Sequence, residues 1–146
     1  MSSINFFTQD IKINLRDKNA LRRWIAATAK KEGCKIEALN YIFCSDKFLH
    51  RLNEQFLHHD DYTDIITFDL STAIHKSQTP GLQGEIFISI ERVKENAKLF
   101  KTTFQNELHR VMIHGALHLI GYKDKTKSDK AAMRKKENYY LNLRSF

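Results

Sequence analysis

The feature that most constrains the fold is a pair of apolar segments separated by a polar loop. Residues 65–70 (Ile-Ile-Thr-Phe-Asp-Leu) and 84–90 (Gly-Glu-Ile-Phe-Ile-Ser-Ile) are rich in the β-branched and aromatic side chains that strands favour. The segment 71–83 between them contains Ser, Thr, Gln, Pro80 and Gly81, a composition typical of a connecting loop. Because the connection is short, we expect these two strands to pair antiparallel.

Two more strands and five helices complete the predicted domain. Strands are expected over 4–8 and 36–44, and a helix over 91–100. The predicted capping residues of the other helices are, in chain order, Asp17, Ser45 or Asp46, Thr102 or Thr103, and Ser128 with Asp129. No linker, repeat or low-complexity tract divides the chain. We therefore predict one α+β domain over residues 1–146, with a mixed sheet of about four strands packed against about five helices.

Composition excludes several classes of protein. A length of 146 residues and 42% hydrophobic content suit a folded domain with a real core, not a disordered tail. The N-terminus lacks the basic region and long apolar run of a secretory signal, and no stretch approaches the roughly 20 apolar residues that span a bilayer. We expect a cytoplasmic protein without a membrane partner. The formal net charge of +7 at pH 7 biases the chain towards polyanions.

The segment His114-Gly-Ala-Leu-His118-Leu-Ile-Gly121-Tyr-Lys-Asp124 carries the chemistry. Residues four apart on a helix differ by about 40° in direction and about 6 Å along the axis, so both imidazoles project from one face. Gly121 is placed to end the helix in a left-handed turn, after which the chain can return Asp124 to the two histidines. Two imidazoles and one carboxylate leave a position for water, as in a catalytic zinc site.

This spacing parallels the zincin pattern H-E-x-x-H-x-x-G-x-x-H, with two changes. Gly115 occupies the position of the glutamate base that peptidases use, and Asp124 replaces the third histidine. Without the glutamate, peptide hydrolysis loses its proton shuttle, so a peptidase is the weaker interpretation. The prediction is a zincin-like metal helix that binds one Zn²⁺ per chain through His114, His118 and Asp124.

The same segment resembles the YbeY family of metal-dependent endoribonucleases, whose pattern is H-G-x-L-H-L-x-G-Y-D-H. Other matches run over most of the chain: Leu52-Asn53, the segment 63–68 (Thr-Asp-Ile-Ile-Thr-Phe), the segment 84–89, Glu107-Leu108, and Met133 with Glu137. The resemblance implies a mixed α/β fold, bound zinc, cleavage of single-stranded RNA, maturation of small-subunit ribosomal RNA, and partners in the small ribosomal subunit. It departs at Asp124, usually histidine in the family, and at Leu57, which stands where the family has an arginine suited to phosphate.

Candidate RNA contacts surround the predicted metal site. Arg110 lies one helical turn before His114 and offers a guanidinium near the position of the missing arginine. Phosphate contacts are also expected from basic residues after the histidine helix: Lys123, Lys125, Lys127, Lys130, Arg134, Lys135 and Lys136. His58 and His59, in the polar loop before Thr63, are further candidates for the cleft.

Three functions remain open on this basis. The first is a metal-dependent, single-strand-specific endoribonuclease that processes ribosomal RNA and acts in ribosome quality control. The second is an RNA-binding assembly factor whose metal is mainly structural, which Leu57 and the missing base favour. The third is another zinc hydrolase, suggested by the zincin-like spacing.

Overall fold

A computed structural model describes residues 3–57, 63–71 and 81–146. In these residues the elements are β1 (Ser3–Thr8), α1 (Lys18–Lys31), β2 (Lys35–Cys44), α2 (Asp46–Leu57), β3 (Ile65–Asp69), β4 (Gly81–Ser89), α3 (Ile90–Leu99), α4 (Phe104–Ile120) and α5 (Lys127–Asn142). Four strands and five helices agree with the predicted α+β class. Among the described residues, no helix has both the length and the apolar character needed to cross a bilayer.

The four strands form one mixed sheet in the order β1-β2-β4-β3. β1 and β4 each pair in parallel with β2, whereas β3 runs antiparallel to β4. The predicted antiparallel pair is therefore confirmed, with Ile66 opposite Phe87. β4 begins at Gly81, three residues earlier than expected, because it continues along β2 as far as Lys35.

The alternation of side chains along the strands gives the sheet two apolar faces. On one face Tyr41, Ile86 and Ile88 belong to the main core together with residues of α1, α4 and α5. On the other face Ile66 packs with Leu49 of α2 in a smaller core. The helices thus cover both sides of the sheet, which explains why the consecutive residues 86–88 of β4 are all apolar.

α4 approaches the sheet closely at Gly115. A Cβ atom built there would lie 2.9 Å from Ile86 Cγ2 and 3.0 Å from Ile65 Cδ1, so a glycine is required for this contact. Residue 115 therefore faces the sheet, while His114 and His118 line a cleft beside that contact. Residues of β3 and α5 form most of the rest of the cleft lining, and α3 contributes Asn96.

The predicted caps are correct in part. Ser45 caps α2 by accepting a hydrogen bond from the Phe48 backbone N–H (3.0 Å), and Thr103 caps α4 in the same way. Asp17 does precede α1, but its backbone is left-handed (φ 57°) and its side chain makes no capping hydrogen bond. That part of the prediction is wrong, because a side-chain cap ordinarily requires an extended backbone at the capping residue.

The predicted start of α5 is also wrong. Thr126, and not Ser128, is the capping residue, and its hydroxyl accepts from the Asp129 backbone N–H (3.0 Å). The Asp129 carboxylate in turn accepts a hydrogen bond from the Thr126 backbone N–H at 3.2 Å, which completes a capping box. The helix therefore begins two or three residues earlier than a cap at Ser128 or Asp129 implies.

Candidate metal centre

The C-terminal end of α4 turns the chain back on itself, as the sequence predicts. Gly121 has a φ of 128°, a conformation that side chains with a Cβ resist. The backbone N–H groups of Gly121 and Tyr122 donate to the Leu117 carbonyl at 3.1 and 3.0 Å. This turn returns Asp124 to the face of α4 that carries the two histidines.

His114, His118 and Asp124 come together at the mouth of the cleft. Asp124 Oδ2 lies 3.3 Å from His114 Nε2 and 3.3 Å from His118 Nε2. One donor atom from each of the three residues lies within 4.8 Å of the others. Two donors bound at about 2.1 Å to a tetrahedral ion would lie about 3.4 Å apart, so the observed spacing fits a divalent metal.

His114 is held by a buried carboxylate on α5. Its Nδ1–H donates to Glu137 Oε2 at 2.7 Å, which leaves Nε2 directed at Asp124. Burial disfavours the charged form of His114, but the hydrogen bond to Glu137 and the nearby negative charges outweigh it and raise the pKa of the ring. Arg110 Nη1 in turn donates to Glu137 Oε1 at 3.1 Å. This arrangement orients the imidazole of His114 through a second layer of contacts, as is common for histidines that bind a metal.

The turn that carries Asp124 is anchored to α1. The hydroxyl of Tyr122 donates to Glu32 Oε1 at 2.6 Å, and the Lys136 ammonium lies 3.1 Å from Glu32 Oε2. Tyr140 also donates to Glu32. Burial raises the pKa of the Glu32 carboxyl, but these three donors outweigh it and lower the pKa. The position of Asp124 thus depends on a carboxylate far away in sequence.

A cleft of about 730 Å³ extends from the metal-binding side chains along α4. Further carboxyls line it, among them Asp64 before β3 and Glu107 at the start of α4. Burial raises the pKa of both, and the positive charge of Arg110 offsets only part of the effect at Glu107. Lys130 and Arg134 line the α5 side of the same cleft.

The predicted RNA contacts have different locations in the structure. Arg110 lines the cleft, but its guanidinium is bound to Glu137 and to Asn138 (3.0 Å) and lies 3.7 Å from Glu107. Exposed lysines outside the lining of the cleft are Lys123, Lys125 and Lys127. Lys136 is bonded to Glu32, and His58 and His59 lie outside the described residues. All of these remain predictions as RNA contacts.

Sequence reasoning assigned no role to Glu32, Asp64 or Glu107. It noted Glu137 only as a match to the family pattern. A signal for Glu137 was present, because Met133, Glu137 and Tyr140 recur at helical spacing and are all buried. An acid on the apolar face of a helix indicates a buried partner, here the imidazole of His114.

Comparisons with known proteins agree with this fold and site. The family model described as Endoribonuclease YbeY matches residues 3–144. The Endoribonuclease YbeY of Cytophaga hutchinsonii is 52% identical over 144 residues, which cover 99% of this chain and 97% of the relative. The same-named protein of Amoebophilus asiaticus is 43% identical over 140 residues, covering 96% and 92%.

A solved structure gives the same result for the fold. The solution structure of a Thermotoga maritima protein superposes with a TM-score of 0.62 at 29% identity, covering 95% of this chain and 87% of the other. The match of nearly the whole chain to one family model, together with relatives above 40% identity, identifies its family. This chain belongs to the Endoribonuclease YbeY family.

Proposed function

We propose that this chain is a metal-dependent endoribonuclease that cleaves single-stranded RNA. Its substrate is ribosomal RNA, with a role in maturing the 3′ end of the small-subunit RNA and in ribosome quality control in the cytoplasm. His114, His118 and Asp124 hold one Zn²⁺ in this proposal. Membership of the family supports the reaction, and the 3.3 Å spacing of the donor atoms supports the metal.

The choice of zinc rests on the donor set. Two neutral imidazoles and a carboxylate are common zinc ligands, and a set of three leaves a coordination position for water or substrate. When bound, such an ion polarises a phosphate oxygen and lowers the pKa of water towards neutrality. The remaining contributions come from the chain itself.

In this proposal Glu137 orients the imidazole of His114 for metal binding. By accepting the Nδ1 proton, the carboxylate keeps the Nε2 lone pair of His114 available on the side of the cleft. Burial raises the pKa of Glu137, but the hydrogen bond with His114 and the contacts with Arg110 and Arg134 outweigh it and lower the pKa. Glu137 is therefore a positioning residue that stays ionised.

The geometry of α4 argues against a peptidase. A peptidase of the zincin type needs a glutamate directly after the first histidine. Here that position is Gly115, where even a Cβ would lie 2.9 Å from Ile86 and 3.0 Å from Ile65. A carboxylate at residue 115 would enter the core between α4 and the sheet and not the cleft.

The decisive experiment combines elemental analysis with cleavage of single-stranded RNA. Protein purified without chelators should contain about one zinc per chain and cut the RNA, while His114→Ala should lose both properties. His50→Ala, which alters a histidine of α2 outside the cleft lining, is the matched control. Metal bound at full occupancy with RNA binding but no turnover would instead support an assembly factor with a structural metal.

The ribosomal role needs a separate measurement. Cells depleted of this protein should accumulate small-subunit RNA with an unprocessed 3′ end, and only a variant with an intact metal site should restore processing. Co-purification with small-subunit proteins would support the proposed partners. Normal 3′ ends in depleted cells would contradict the role in processing while leaving the cleavage activity itself intact.

A further inference from the structure

An apolar wall, formed by Leu57 at the end of α2 and Phe100 at the end of α3, lines the same cleft as the metal-binding residues. The Phe100 side chain is 54% exposed, although an aromatic ring of this size ordinarily contributes to a core. Neither residue belongs to the metal site or to its supporting contacts.

The chain path determines where Phe100 lies. Only residues 101–103 separate it from the first residue of α4, Phe104, and Lys101 adopts a left-handed turn (φ 54°) between the helices. Phe100 is therefore close to the N-terminal end of α4. His114 lies ten residues further along the helix, about 15 Å away at 1.5 Å per residue. The ring is consequently remote from the reacting bond, yet within the same cleft.

The α5 side of the cleft carries two cationic side chains. Lys130 and Arg134 are four residues apart on α5, so they project from one face. The Arg134 side chain is 54% exposed, and its Nη1 lies 3.7 Å from Glu137 Oε1. A cationic side and an exposed aromatic ring, facing one cleft, are the two elements with which proteins bind single-stranded nucleic acids. The cations contact the backbone, and the ring stacks on a base.

We infer that the apolar wall is a binding subsite for an unpaired nucleobase of the RNA, which stacks on the ring of Phe100. The inference rests on the proposed endoribonuclease function and specifies how its substrate is held. It requires the base to be unpaired, because a base inside a duplex has no free face to offer the ring. The subsite therefore supplies a physical reason for a preference for single strands.

The test uses three variants of the metal-loaded protein. Phe100→Ala removes the ring, Phe100→Trp keeps an aromatic surface, and Leu99→Ala changes the adjacent residue, which is 71% exposed but does not line the cleft. Circular dichroism should show that all three fold, because both positions are exposed. The RNA probes share one single-stranded sequence, and each carries one abasic nucleotide at a different position.

Affinity is measured by stopped-flow anisotropy before cleavage proceeds, and kcat and KM are then measured by cleavage. Phe100→Ala should weaken binding and raise KM by roughly 5- to 100-fold, the range expected for one stacked base, with kcat unchanged. Phe100→Trp and Leu99→Ala should behave like the wild type. In the wild type, one abasic position should cause a loss of the same size, and Phe100→Ala should be insensitive to that position.

Several outcomes would overturn the inference. Equal affinities for Phe100→Ala and Leu99→Ala would show that the ring does not bind RNA. A loss in Phe100→Ala that is the same for every abasic probe would show that the wall contacts the sugar-phosphate backbone and not a base. Cleavage by the wild type is read separately: base-dependent binding without cleavage would leave the subsite in place and refute the proposed function. A wild-type protein that shows neither base-dependent binding nor cleavage would refute the subsite and the proposed function together.

Discussion

A buried histidine on α4 should make this protein sensitive to mild acid. His109 is 1% exposed, and its ring packs between Trp24 (5.9 Å between centroids) and Phe146 (5.5 Å). Arg144 Nη1 donates to His109 Nδ1 at 2.7 Å, so the imidazole is neutral and serves as an acceptor. Burial, with the positive charge of Arg144, lowers the pKa of His109 from 6.5 to about 4.

The size of the effect follows from this shift. Between the unfolded pKa of 6.5 and the folded pKa of about 4, the unfolded chain binds more protons than the native protein. The free energy of unfolding therefore falls as the pH falls through this window. At 1.36 kcal/mol per pKa unit the full loss is about 3 kcal/mol, of which about 2 kcal/mol appears between pH 7 and pH 5. A marginally stable domain would lose a large part of its stability.

Urea denaturation at a series of pH values, on protein freed of metal with a chelator, measures this dependence. His109→Gln keeps an acceptor for Arg144 but does not titrate. Between pH 7 and pH 5 its free energy of unfolding should therefore fall by about 2 kcal/mol less than that of the wild type. His50→Gln, outside this contact, should retain the wild-type slope. Identical slopes for the wild type and His109→Gln would refute the reasoning. The comparison also separates acid unfolding from protonation of the metal-binding histidines, which both proteins share.

Three further predictions concern the side chains around the metal site. Glu137→Ala should weaken metal binding by about 10- to 100-fold in a chelator-competition assay, and Glu137→Gln by less, because it still accepts the His114 Nδ1 proton; equal losses would contradict this role. Tyr122→Phe should reduce metal affinity, because it removes the hydrogen bond that ties the turn before Asp124 to Glu32. Tyr140→Phe loses a bond to the same carboxylate and should only lower the free energy of unfolding, by about 1 kcal/mol. Equal metal affinities in the two variants would show that the Tyr122–Glu32 bond does not position Asp124. Gly115→Ala should lower the free energy of unfolding in urea by up to about 2 kcal/mol, because the cost of overpacking exceeds the gain of about 1 kcal/mol in helix propensity. A variant more stable than the wild type would show that the side chains of Ile86 and Ile65 move to make room.

The parts of the fold that depend on local chemistry could be predicted from the sequence. The β-branched and aromatic residues of two segments joined by a short polar loop predicted the β3–β4 pair, and Gly121 predicted the end of α4, because each signal operates within a short stretch of sequence. The start of α5 was harder to predict, since Thr126, Ser128 and Asp129 are all good capping residues and only the backbone geometry distinguishes them.

The contacts that support the metal centre could not be predicted in this way. Glu137 binds His114 from 23 positions away, and Glu32 binds Tyr122 from 90 positions away. Such pairs depend on how α1 and α5 pack against α4, which no local pattern specifies. Spacing in the sequence was enough to predict that His114 and His118 lie together. The contacts that hold the site in place come from residues that only the tertiary structure identifies.

The charges of the cleft indicate a second role for the proposed metal, which is to offset nearby negative charge. Among the described residues that line the cleft, five are carboxylates and three are cationic, so the net charge of +7 is not concentrated there. The positive charge of Arg110 is partly offset by its hydrogen bond to Glu137. A phosphate close to His114 without a bound cation would therefore meet the acidic groups Glu137, Asp124 and Asp64, whereas Lys130 and Arg134 lie on the α5 side of the cleft. The exposed lysines outside the cleft can attract RNA from a distance, and in the proposed function a divalent ion at His114, His118 and Asp124 would make that position favourable for a phosphodiester.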